Sequence, residues 1–249
     1  MYSCHPVYPR WSIIRRDSQL KFRGESDNYD TALGGSAQGR ASVACNSDSL
    51  WYDDHHMRRS ATRAKDVTHE RIVEAAARAI RRSGYDGTSV ADIMKEAGLT
   101  HGGFYAHFPS REAMLAEAAD RAGAESVAES TRVAATVRPD QALRALVSAY
   151  LSKEHIKNVE MGCPIAALGS EMPRQAPEVR RAATRRIKEM IDVVARQLPD
   201  WGQPAAHENA LVMVATAVGA LLLARAVDDP KLSDALVQAT LKQLARTDA

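Results

Sequence analysis

The 249 residues read as an all-α protein, and three observations carry that reading. Aromatic residues make up only 5% of the chain and β-branched runs are short, which leaves little material for strands. After Thr68, Ala, Arg, Glu and Leu recur at three- and four-residue spacing, the repeat of amphipathic helices. The prolines fall at the expected starts and ends of those repeats, where a missing N–H does least harm.

Composition narrows the class. A chain 45% hydrophobic and 26% charged, with a formal charge of +2, fits one or two globular domains, and that charge argues neither for nor against nucleic acid. Cys4, Cys45 and Cys163 lie apart without CxxC or Cys/His ligand spacing. Neither a disulfide framework nor a metal or other cofactor is expected, and a reducing cytoplasm fits. Arg10, Arg15 and Arg16 surround only the pair Ile13 and Ile14, which is no signal-peptide core. The most apolar run, ALVMVATAVGALLLA at 210–224, is shorter than the roughly 20 residues of a membrane span and includes Thr216 and Gly219. It reads as a buried helix, with no membrane partner.

Residues 1–56 keep no period of 2 or 3.6 and are punctuated by Gly, Ser and Asp, so little regular structure is expected there. Yet Cys4, Trp11, Cys45 and Trp51 are residue types that solvated tails lack. Two readings follow: a disordered extension, or a mis-assigned start with translation beginning at Met57.

The helices are read with their caps. Thr68 precedes HERIVEAAARAIRRSG, in which Ile72, Ala76, Ala79 and Ile80 share a face and Gly84 stops the helix. Ser89 and Asp92 make an [ST]-x-x-[DE] capping signal before VADIMKEA. Gly98 and Leu99 form a tight turn, Thr100 is placed to cap the short helix HGGFYAHF, and Pro109 ends it. Ser110 caps REAMLAEAADRAGAESVAEST. Further helices are expected over 141–155, from Pro164, from Pro177 to Pro199, over the apolar run to about Val227, and from Pro230 onward.

Three short helices with a glycine turn between the second and third form a helix-turn-helix arrangement, whose last helix enters the DNA major groove. Laid out at about 100° per residue, Phe104 and Phe108 define the core face of that helix, with Gly102, Gly103 and Ala106 opposite and Tyr105 and His107 on the flanks. A bare first turn lets free N–H groups approach a phosphate or base edge. Arg58, Arg59, Arg63, Lys65 and Arg111 are available for phosphate contacts.

Residues 68–120, through the GTSV turn, the AGLT turn and GGFYAHF in order, resemble the DNA-binding domain of the TetR family of bacterial transcriptional repressors. The resemblance implies a homodimer on double-stranded operator DNA, released when a small molecule binds a helical second domain. It places His101, Gly102, Gly103, Tyr105 and Ala106 at bases or their backbone, and Ser89, Thr100, His107 and Arg111 at phosphates; Arg111 stands where many members have Lys. The expected division is 1–56, a helix-turn-helix domain over 57–112, and a helical ligand-binding and dimerisation domain over 113–249.

Downstream, GCPIAALGSEMPRQAPEVR resembles a subgroup with Gly-Cys-Pro at a helix start, some members of which sense electrophiles or oxidants through the cysteine. Cys163 therefore has two readings, a thiolate favoured by a helix N-terminus or a small buried hydrophobe. Apolar spacing suggests Tyr150, His155, Met172, Met190 and Met213 as further pocket residues, though core packing suits each as well. Ala215, Gly219, Ala220 and Leu223, with Leu236 and Leu241 of the last helix, are expected at a dimer interface. No G-x-S-x-G, H-E-x-x-H or phosphate-binding glycine loop supports an enzyme. An interaction protein without DNA binding remains a rival, because few donors face outward from the third helix.

Overall fold

The computed structural model describes residues 48–245, with side chains from residue 63 onward. Expectations for residues 1–47, Cys4, Trp11 and Cys45 among them, lie outside the described residues, as does the side chain of Trp51; residues 48–56, expected to hold little regular structure, are helical. Helix α1, Asp48–Ser83, runs without interruption through Thr68. That residue was expected to cap, but its hydroxyl donates to the Ala64 carbonyl one turn back, at 2.9 Å. No Gly or Pro between 48 and 83 breaks the ladder, so the helix begins well before the expected cap. It ends at Gly84, whose φ of 77° closes the last turn.

Helix α2 spans Val90–Glu96, a 3₁₀ helix His101–Ala106, and α3 Arg111–Ala135. Then follow α4 Pro139–Tyr150, α5 Lys153–Lys157, α6 Pro164–Leu168, α7 Pro177–Ala195, α8 Pro204–Ala226 and α9 Pro230–Leu244; the described residues contain no strand. The helix expected over 141–155 is divided at Leu151, because the Ser152 side chain accepts the His155 N–H at 3.1 Å and starts α5 afresh.

Two cores form. One gathers Ile72, Ala76 and Ile80 of α1, Ile93 and Met94 of α2, Phe104, Phe108, and Met114 and Leu115 of α3. The other joins α4, α7, α8 and α9 through Leu146, Ile191, Val194, Met213, Leu221 and Val237. The expected division at residue 113 falls inside the continuous α3, and short α6 joins the cores: Ala166 packs into the second and Leu168 into the first.

Helices α3 and α7 approach closely at Gly123, where an added Cβ would lie 2.5 Å from Arg186 Cβ. The Arg186 guanidinium then grips Asp120 with two bonds of 2.7 Å. Helix α8 is 23 residues long, so the length argument against a membrane span does not hold for the whole helix. Its Ala210, Met213, Ala217 and Leu221 are buried in the chain's own core, while Leu211, Val212, Ala215, Leu222 and Leu223 are exposed. Ala215 and Leu223 thus lie on the uncovered face, and Gly219 has nothing within 4 Å of where its Cβ would be. Ala220 does not belong to that face: it is buried among core side chains, which removes it from the expected interface set. Leu236 and Leu241 of α9 are half-buried.

Candidate nucleic-acid interface

The turn between α2 and the 3₁₀ helix is built by Gly98. With φ at 70°, its N–H reaches the Lys95 carbonyl at 3.0 Å and the Leu99 N–H reaches Met94 at 2.8 Å, closing a Schellman motif. The Arg71 guanidinium donates to the Ala97 carbonyl at 2.5 Å and pins the turn to α1.

The segment expected as an α-helix is 3₁₀ over His101–Ala106. Adjacent glycines weaken α-helix propagation and Pro109 denies it length, so the tighter coil suffices. In such a helix residues three apart eclipse, which sets Tyr105 over Gly102 and Ala106 over Gly103. Phe104 and Phe108 point inward and stack with centroids 5.6 Å apart. Tyr105 is 73% exposed, its ring edge held against Phe104 at 5.2 Å. Nothing lies within 4 Å of a Cβ built on Gly102, and only Met94 Cε, at 3.7 Å, approaches one on Gly103. The fold therefore does not demand either glycine for space. Thr100, His101, Gly102, Tyr105 and Ala106 are exposed, while Gly103 is half-buried and Phe104 buried.

The expected phosphate holders are placed differently. Thr100 starts the helix by its backbone, its carbonyl accepting the Gly103 N–H at 3.1 Å; its side chain makes no cap bond, contrary to expectation, and stays free on the surface. Ser89 caps α2 as expected and also donates its hydroxyl to Asp92 at 2.6 Å, so that group is already engaged. The Arg111 guanidinium turns back to the carbonyls of Tyr85 and Thr88 and clasps the α1–α2 turn. His107 is half-buried with Nδ1 lacking a partner; burial, then His69 and Lys65, hold its pKa below the usual histidine value. It is therefore held neutral. Arg63 and Lys65 are exposed on α1, whereas the side chains of Arg58 and Arg59 lie outside the described residues.

His69 was missed by sequence reading: its ring stacks on Phe108 at 4.4 Å while Nε2 meets Glu117 at 2.7 Å.

The six expected sensing residues line three spaces that share some of their lining residues. Met172 and Met190 bound a cavity of about 20 Å³ beside Tyr85, and Met190, Met213, Tyr150 and Cys163 bound an apolar one of about 30 Å³. Tyr150, Cys163 and His155 then face an open groove of about 630 Å³. His155 donates from Nδ1 to the Tyr150 carbonyl at 2.6 Å and accepts the Cys163 N–H at Nε2, a pattern that requires the neutral ring. Burial is the chief cause holding its pKa below the usual value. Cys163 itself is only 1% exposed, and α6 has five residues, too few for a strong dipole at the thiol.

Residues without any sequence signal tie these spaces to the helix-turn-helix. Glu171 accepts the Tyr85 N–H at 2.8 Å and packs so tightly on Gly84 that a Cβ there would sit 2.5 Å from its carboxylate. Fully buried Arg81 pairs with Glu125 at 2.7 Å and donates to the Gly162 carbonyl at 3.4 Å.

Comparison with known proteins agrees with this geometry. Residues 72–118 match the model for bacterial regulatory proteins of the tetR family, and residues 139–236 the model for the C-terminal domain of LmrA/YxaF-like transcriptional regulators. An uncharacterised helix-turn-helix-type transcriptional regulator of Mycobacterium tuberculosis is 34% identical over 169 residues, covering 63% of this chain and 83% of that protein. The transcriptional regulator LmrA of Bacillus subtilis is 27% identical, covering 63% and 85%. A crystal structure of a TetR transcriptional regulator from Chloroflexus aurantiacus superposes with a TM-score of 0.60 at 28% identity, covering 74% of this chain and 95% of the other. The chain belongs to the TetR family of bacterial DNA-binding transcriptional regulators.

Proposed function

We propose that the chain acts in the bacterial cytoplasm as a homodimeric repressor that leaves its operator when a small molecule occupies the helical domain. The exposed residues Thr100, His101, Gly102, Tyr105 and Ala106, with Tyr105 foremost, form the surface that meets DNA. Two-fold symmetry comes from the uncovered apolar face of α8, where Val212, Ala215, Gly219 and Leu223 are spaced three or four residues apart, helped by α9.

The observation that carries the ligand-responsive part is the seam at Glu171. Met172 and Tyr85 line the same cavity, while the neighbouring Glu171 carboxylate holds the Tyr85 N–H at the end of the first helix-turn-helix element. A ligand that displaces Met172 therefore moves an acceptor on which the Tyr85 turn depends. Sedimentation of the protein, free and with duplex operator, tests the reading: two chains free and at least two per operator are expected, and a single chain bound to DNA counts against it. Deleting the gene raises transcription of the neighbouring operon if the protein represses, and lowers it if it activates.

A further inference from the structure

We propose that Arg81 is a positioning residue that sets the half-site spacing the protein accepts on DNA, because it fastens the helix-turn-helix unit to the segment packed on α8; this rests on the homodimer reading above, in which two copies meet through α8. Arg81 stands in the last turn of α1, and its side chain has no exposed surface. Its Nη2 donates to Glu125 of α3 at 2.7 Å and its Nη1 to the Gly162 carbonyl, just before α6, at 3.4 Å. Nε is buried without a partner, so those two acceptors are all that answers the charge among the described residues. A buried guanidinium cannot readily trade its partners for water, and a swing of α1 away from α3 and Gly162 leaves it unpaired at a high cost.

The second acceptor is itself held against α8. Arg225, near the end of that helix, donates from Nε to the Ile156 carbonyl at 3.1 Å and from Nη2 to the His155 carbonyl at 2.6 Å. Gly162 fits so closely among these groups that an added Cβ would lie 2.7 Å from Arg225 Nη2, 2.8 Å from the Asn158 carbonyl oxygen and 2.9 Å from His155 Nε2. Its carbonyl therefore has little freedom, and a line of close contacts runs from Arg81 through Gly162 to Arg225. Leu223, on the uncovered apolar face of α8, lies two residues before Arg225.

Other ties across this boundary do not replace the pairing. Arg82 meets Glu160 at 3.2 Å, but the two side chains are 44% and 43% exposed, and an ion pair that wet contributes little. Glu171 holds the Tyr85 N–H, beyond the end of α1. Helix α3 is continuous, yet a single helix can bend. Two copies joined through α8 present their recognition surfaces at one separation and one angle. A base pair inserted between half-sites shifts one by about 3.4 Å and turns it by about 35°, so each unit must swing against the Arg81 pairing to follow.

Fluorescence anisotropy of the full chain tests this, with a duplex carrying the operator from DNA flanking its own gene and with the same duplex after one base pair is inserted or removed between the half-sites. The wild type is expected to bind the native spacing at least about tenfold more tightly than either altered duplex. Arg81→Met combined with Glu125→Gln removes both charges and leaves neither unpaired, and it brings that ratio to about threefold or less. Arg81→Lys keeps the charge but cannot reach both acceptors; it also lowers the ratio, and it keeps the test decisive if the double variant does not fold. A variant that is merely less stable loses affinity for all three duplexes by one factor, so an unchanged ratio in the variants that fold overturns the role of Arg81. A wild type that binds the three duplexes alike sinks the homodimer reading, and the spacing role falls with it.

Discussion

Replacing Gly102 by alanine separates the demands of the fold from those of DNA. The new Cβ meets nothing within 4 Å, and the backbone does not need a positive φ at this position. The substitution restricts the unfolded chain at no steric cost to the folded one, so it stabilises the protein by about 0.4–1 kcal/mol. For a chain of this size that raises Tm by about 1–4 °C. The same methyl projects from an exposed first turn beneath Tyr105, where a phosphate or base edge must come close. Displacing that approach costs about 1–3 kcal/mol of binding, a drop in affinity of roughly 5- to 150-fold. Thermal melts and fluorescence anisotropy with labelled operator measure the two halves independently. A Gly102→Ala protein that melts higher and binds DNA as tightly as the wild type refutes the idea that the surface is kept bare for DNA; one that melts several degrees lower refutes the claim that the fold does not need the glycine.

Other substitutions probe the seam, the cysteine and the histidines. Glu171→Ala leaves the buried Tyr85 N–H without its acceptor and should cost about 1–3 kcal/mol, read as a fall in Tm; an unchanged melt would show that the seam is unimportant. Because Cys163 is 1% exposed, N-ethylmaleimide should modify it slowly in the folded protein and release DNA equally from wild type and Cys163→Ser, whereas release from the wild type alone restores the electrophile-sensor reading. His155 and His107 have folded-state pKa values held below the ordinary histidine value of 6.5, so the unfolded chain takes up protons first as pH falls. Their stabilisation is complete above pH 6.5 and is lost as pH drops through 6.5 toward the folded-state values. Urea unfolding at pH 7.5, 6.5 and 5.5 should show that decline, diminished in His155→Gln; stability that rises toward pH 5.5 would contradict the assignment.

The helical class and most helix starts were legible because caps and prolines are local signals: Ser89, Ser110, Pro164, Pro177 and Pro230 all stand at helix starts. Phe104 and Phe108 were legible as core because aromatic residues four apart leave little choice of face. Coil type was not: a wheel at 100° per residue cannot anticipate a 3₁₀ segment, whose tighter winding places Tyr105 over Gly102. Thr68 and Thr100 have the right side chains for caps, but the surrounding chain decides whether a helix continues through them or the hydroxyl is used. The inward turn of Arg111 and the contacts of Glu171 and Arg225 join residues 23 to 86 positions apart, which no periodicity reveals.

The central claim, that the exposed run around Tyr105 grips DNA, is met most directly by anisotropy titration of DNA flanking the protein's own gene at two salt concentrations, with wild type and Tyr105→Ala. The account predicts sequence-specific binding that weakens steeply as salt rises and is lost in the variant, whose fold is untouched because Tyr105 is 73% exposed. Equal binding by wild type and Tyr105→Ala would contradict it.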